Sequence, residues 1–189
     1  MKFDIPKEIK TVAETLEKAG YEAYLVGGCV RNLLLGLEPK DWDITTSARP
    51  EEIQSLFKDS VYENEFGTVL VKLKPQTAAE QTRRSAEKLP RSSALDVVEI
   101  TTFRTEGKYT DKRHPDEIKF AKTIEEDLGR RDFTINAMAL SIDANISARL
   151  AFGNSKAGGR IDTNDTNKLK IVDPHDGRAD LDKKIIRAV

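Results

Sequence analysis

Asp41 and Asp43 stand two residues apart in the segment DWDITT. A strand period of two places both carboxylates on one face and Trp42 with Ile44 on the other, the acids lying ~7 Å apart along the backbone. Two carboxylates that close are costly to keep ionised unless a cation sits between them, so the spacing makes a natural Mg2+ site. An isolated Asp-x-Asp is also common as a solvated strand edge, and the upstream context weighs against that reading. In LVGGCVRNLLLG, a strand-like run enters Gly27 and Gly28 and then a helix-like run. Backbone N–H groups and the positive end of a helix can there face a phosphate. Arg31, one turn into that helix, can aim its guanidinium at the same phosphate.

Two further groups carry chemistry. In LDVVEITTF, alternation puts Glu99 on one face with Leu95, Val97, Thr101 and Phe103. A carboxylate on so apolar a face needs a partner, either a metal ion or an arginine such as Arg104 or Arg131. Asp96 falls on the opposite face and is the weaker candidate. The second group is RRDFTINAMAL, residues 130 to 140, where Asp132 and Asn136 are four apart and share a helical face. Such a charge run is ordinarily a solvated face, but an acceptor and a donor flanked by cations also suit a ribose and its phosphates.

The elements that must position these residues follow from the pattern. Ile9, Val12, Ala13 and Leu16 recur at helical spacing after Pro6 and before Gly20, predicting a helix from about 6 to 19. A strand at Ala23 to Val26, a helix from Cys29 to Leu35, a strand from Asp41 to Thr46, a short helix from Pro50 to near Phe57 and a strand from Thr68 to Leu73 follow in order. Leu95 to Phe103 is the clearest strand. Thr123 and Glu126 form a capping-box pair that opens a helical region continuing through Leu140, and Leu169 to Asp173 is a final strand. Residues 74 to 94 and 144 to 168 are polar and read as surface insertions; Arg83, Arg84, Lys88 and Arg91 in the first belong to a solvated loop. Strands interleaved with helices predict an α/β domain on a small mixed sheet flanked by helices.

Composition sets outer limits. The 189 residues suit one domain, and 31 Lys and Arg against 32 Asp and Glu leave a formal net charge of −1. RNA contact would therefore depend on local basic patches. A single cysteine, Cys29, excludes an intramolecular disulfide, and with only His114 and His175 beside it there is no structural-zinc spacing. Both histidines read as surface residues. No apolar run approaches the ~20 residues of a membrane span, and the expected setting is a reducing cytoplasm.

LVGGCVRNLLLG with KDWDITT, then VEITTFR, then RRDFTINAMA resemble, in order, the successive motifs of the bacterial tRNA CCA-adding enzyme and poly(A) polymerase family. The resemblance implies a nucleotidyltransferase-type head over residues 1–189 that transfers CMP or AMP from CTP or ATP to the 3′ end of tRNA by a two-metal mechanism. By matching position it implies that Asp41 and Asp43 hold magnesium; Glu99, from its place on the strand, is the expected third catalytic acid. Gly27, Gly28, Arg31, Arg104 and Arg131 form the expected phosphate side of the nucleotide site, and Asp132 with Asn136 lie at the sugar. YTDKRHPDEIKF resembles the family's mobile loop, with Arg113 as a positioning residue, and DPHDGRADLDKKIIRAV resembles the segment closing the head. Asn32 stands where the family usually has aspartate, and either side chain can bond nearby backbone. The sequence ends before the family's neck, whose Glu-Asp-x-x-Arg motif reads the base, so a truncated head is expected. Poly(A) tailing and a catalytically weak RNA- or nucleotide-binding fragment are the alternatives.

Overall fold

A computed structural model of the chain describes residues 3–63, 67–73, 97–106, 118–142 and 170–189. In chain order these form α1 (Lys7–Lys18), β1 (Ala23–Val26), α2 (Gly28–Leu34), β2 (Asp43–Thr46), α3 (Pro50–Leu56), β3 (Ser60–Tyr62), β4 (Thr68–Lys72), β5 (Val97–Thr102), β6 (Arg104–Glu106) and β7 (Ile118–Phe120). Then come α4 (Ile124–Leu128), a 3-10 turn (Thr134–Asn136), β8 (Ala139–Ser141), β9 (Ile171–Val172) and α5 (Gly177–Lys183). Seven of the described strands make one sheet in the order β3-β4-β5-β2-β1-β8-β9, and β6 with β7 makes a separate pair. The sheet is mixed: β2 and β5 run parallel, while its other neighbours run antiparallel.

All four residues of β1 are buried because both faces of this central strand are covered. Ala23 and Leu25 enter one core with Ile9, Val12, Ala13 and Leu16 of α1, Cys29, Val30 and Leu33 of α2, and Ile53 of α3. Tyr24 and Val26 enter the other core, with Phe103, Ile124, Leu128, Ala137 and Ala139. Each α1 residue named at helical spacing is in place, and Trp42, 4% exposed, joins Ile44 in the first core. No helix among the described residues is long and apolar enough to cross a membrane.

Several expectations change. The core face of β5 is Val98, Ile100 and Thr102, while Val97 and Glu99 are exposed. Glu99 therefore does not lie on a buried apolar face; consecutive valines at 97 and 98 make either alternation phase look apolar. The helix opened by Thr123 stops at Leu128 before Gly129, and the chain passes through the 3-10 turn into strand β8. Pairing with β1 and β9 on either side overrides helical propensity at Ala139 and Leu140. The capping box is half formed: Thr123 Oγ1 accepts the Glu126 amide, but Glu126 Oε2 accepts from Lys122 rather than Thr123. Asp41 precedes β2, which begins at Asp43, and the last strand shrinks to Ile171–Val172. His175 is half-buried, its Nε2 enclosed. The insertions at 74–94 and 144–168, with Arg83, Arg84, Lys88, Arg91, Leu95, Asp96, Arg113 and His114, lie outside the described residues.

Candidate active site

The site forms where β1 ends and β2 begins. Because the two strands are antiparallel, with Leu25 opposite Ile44, the chain leaving β1 at Val26 passes beside Asp43. Gly27 then turns the backbone at φ 73, ψ −135, a conformation that L side chains rarely adopt, and starts α2 at Gly28. A Cβ on Gly27 would lie 3.0 Å from a terminal nitrogen of Arg131 and 3.8 Å from Asp43 Oδ2. A Cβ on Gly28 would lie 3.5 Å from Arg31 Nη2. The glycine loop is therefore bordered by two guanidinium groups on one side and the acid strand on the other.

Parallel pairing sets Asp43 opposite Glu99. Both carboxyl pKa values are raised. For Asp43, burial is the first cause and the charge of Asp41 adds to it, while Arg131 acts in the opposite direction. For Glu99, partial desolvation comes first, followed by repulsion from Asp43, Glu63 and Asp41. The charges that raise the Glu99 pKa are thus all acidic. Glu63, which sequence reasoning passed over, faces the same acidic field from β3's end. Among the described residues no three His, Cys, Asp or Glu side chains are gathered tightly enough to cage a metal by themselves. Beneath the acids, Cys29 donates its thiol to the Val26 carbonyl at 3.0 Å, and burial pushes its pKa up to about 11, leaving it inert.

On the other flank, Arg31 donates to Asn136 Oδ1, and Asn136 Nδ2 donates to Asp132 Oδ1 at 3.1 Å. Asp132 and Asn136 do meet, although they lie on a turn running into the 3-10 segment rather than on one helical face. Arg31 also donates to Asn32 Oδ1 at 3.3 Å, so the asparagine steadies the arginine. The chain's last residues buttress this turn: Thr134 N–H donates to Arg187 O at 2.9 Å and Val189 N–H to Asp132 O at 3.2 Å.

Arg131 is held from behind by a residue that sequence reasoning missed. Asp127, at the end of α4, is fully buried and lies 3.5 Å from Arg131 Nη2 and 3.0 Å from Arg130 Nε. Arg104 enters the same cluster through its backbone amide, which donates to Asp127 at 3.1 Å. The signal was present in EEDLGRRD, where an acid stands three and four residues ahead of two arginines.

The chain as a whole is similar to known proteins. A family model described as the poly(A) polymerase head domain matches residues 23–187. The CCA-adding enzyme of Lactiplantibacillus plantarum is 38% identical over 181 residues, 95% of this chain and 33% of that protein. The CCA-adding enzyme of Lactococcus lactis subsp. lactis is 45% identical over 146 residues, 75% of this chain and 32% of that protein. The crystal structure of the Bacillus stearothermophilus CCA-adding enzyme in complex with CTP is similar at a TM-score of 0.63 and 31% identity, over 96% of this chain and 33% of that one. Thermotoga maritima CCA-adding enzyme complexed with tRNA shares the fold, with a TM-score of 0.60 at 22% identity over 99% of this chain and 34% of that one. The chain spans about a third of the length of the curated relatives it matches. Matched by that model over residues 23–187 and 38–45% identical to these curated relatives, this chain belongs to the poly(A) polymerase head-domain family.

Proposed function

We propose that this chain is a template-independent RNA nucleotidyltransferase head that transfers CMP and AMP from CTP and ATP to the 3′ end of tRNA, in the cytoplasm. The observation that carries the reading is the convergence of Asp43 and Arg131 on Gly27. It sets a cation-seeking carboxylate beside a phosphate-seeking guanidinium, across a glycine that carries no side chain of its own. That is the charge pattern a metal triphosphate requires.

The donor set fits Mg2+, which is held by one or two carboxylates together with substrate phosphates rather than by a full protein cage. Asp41 and Asp43 would supply the carboxylates, and a cation there would offset the burial and the Asp41 charge that raise the Asp43 pKa. Held by Asp41 and Asp43, such an ion would supply Lewis-acid chemistry and charge neutralisation at the triphosphate. Arg31, Arg131 and the amides at Gly27 and Gly28 would grip the phosphates, and Asp132 with Asn136 would orient the ribose. Glu99, opposite Asp43, would complete the acidic wall. Positioning and electrostatics do most of such work, and no covalent nucleophile is needed.

Incubating the chain with labelled CTP or ATP and a tRNA lacking its 3′ terminus tests the reading. Weak transfer of both C and A, poorly selective between them, is expected of the isolated chain. ATP-only tailing would instead favour poly(A) polymerase activity, the function in the matched family model's description. Nucleotide binding without transfer would reduce the chain to a binding module.

A further inference from the structure

The buried carboxylate of Asp127 has no part in the nucleotide site as described, yet it joins three of the elements that frame that site. Its Oδ1 accepts the Arg104 amide at 3.1 Å and Arg130 Nε at 3.0 Å. Its Oδ2 lies 3.4 Å from the Thr45 hydroxyl and 3.5 Å from Arg131 Nη2. Thr45 is two residues along β2 from Asp43 and on the same face, so one side chain ties the acid strand, the start of β6 and both arginines together. Asp127 is 0% exposed, and a charge so completely removed from water is tolerated only when paired.

The geometry of Arg131 gives this pairing its meaning. One terminal nitrogen meets Asp127, and the other points at Gly27, 3.0 Å from where a Cβ would stand. A planar guanidinium fixed at one end has little freedom at the other. Asp127 is shared by two arginines, and Arg131 is the one that reaches the glycine loop. We propose that Asp127 is a positioning residue that sets the Arg131 guanidinium against the Gly27–Gly28 loop and thereby fixes the chain's grip on the triphosphate. This rests on the reading of the glycine loop as the phosphate position.

The test is Mg2+-dependent ATP binding by the wild-type chain, Asp127→Asn, Arg131→Ala and the double variant, each checked for folding by its thermal melt. Asp127→Asn keeps shape and an acceptor while removing the charge. It should weaken ATP binding about tenfold, the scale of a lost charged hydrogen bond. In the Arg131→Ala background the same change should have no further effect, whereas a general loosening of the fold would weaken binding in both backgrounds. Wild-type affinity in Asp127→Asn while Arg131→Ala is impaired, or losses that multiply in the double variant, would overturn the positioning role and leave the phosphate site standing. Wild-type affinity in Arg131→Ala would remove the phosphate reading and this proposal together. Should Asp127→Asn fail to fold, Arg131→Lys serves instead: it keeps the charge but not the fork, and wild-type affinity in it would also overturn the proposal.

Discussion

Each residue of the site answers to a local physical demand. Gly27 sits at φ 73 with Arg131 3.0 Å from its missing Cβ, so Gly27→Ala combines backbone strain with displacement of the guanidinium. The strain alone should cost about 1–3 kcal/mol, read as a lower midpoint in urea, and ATP affinity should fall with it. Wild-type stability and affinity would mean that the turn does not need glycine. Asp43 makes the opposite prediction. Its folded-state pKa stands above the reference 3.8 because burial outweighs the attraction of Arg131. The folded chain thus holds this proton more tightly than the unfolded chain. The stability it contributes is full below the unfolded pKa and is lost as pH rises through the folded one. At neutral pH the ionised group is a net cost, so Asp43→Asn in chelator should melt higher than wild type, by about 2–4 °C for each ~1 kcal/mol relieved. Added Mg2+ should raise the wild-type melt and leave the variant unmoved. A lower melt for the variant in chelator at pH 7 would contradict the raised pKa.

At the scale of elements, the site depends on how the 3-10 turn is braced. Asp173 caps α5 by accepting the amides of Gly177 and Arg178 at 2.7 and 3.0 Å. Asp180, 2% exposed, then accepts from the Thr134 hydroxyl at 2.7 Å and from Arg187 at 2.9 Å. A Cβ on Gly177 would fall 2.0 Å from the Thr134 carbonyl oxygen, a backbone atom that cannot swing aside. Gly177→Ala should therefore destabilise by more than ~2 kcal/mol through overpacking and lost hydrogen bonds. Gly20→Ala, at φ 95 with nothing within 4 Å of the added carbon, should cost only its backbone strain, about 1 kcal/mol. Equal denaturation midpoints for the two would show that α5 does not press on the turn. The same elements mark how far the sequence could be read. α1, β1, α2 and α3 were legible because one-sided helical spacing and Gly or Pro punctuation are local signals. Strand β8 was not, because Met138 to Leu140 carries no local mark of the β1 and β9 neighbours that hold it extended. The acid pair, glycine loop and RRD segment were legible as motifs. Asp127 was not, because its role exists only once Thr45, Arg104 and Arg131 have been brought around it.

For the molecule as a whole, a formal net charge of −1 gives no long-range pull toward a polyanion. Affinity for a nucleotide must come from the local opposition of acids and arginines where β1 ends and β2 begins. Arg31 and Arg131 lie 100 residues apart in the sequence, and the fold brings both guanidinium groups to the Gly27–Gly28 loop. We propose this opposition as a metal-triphosphate site. It is tested most directly by titrating a fluorescent ATP analogue into the chain with and without Mg2+, beside an Asp41→Ala/Asp43→Ala double variant that retains the wild-type melt or exceeds it. Saturable binding that requires Mg2+ and disappears in the double variant is the expected result. Binding of equal strength with or without the ion, and with or without both aspartates, would contradict it.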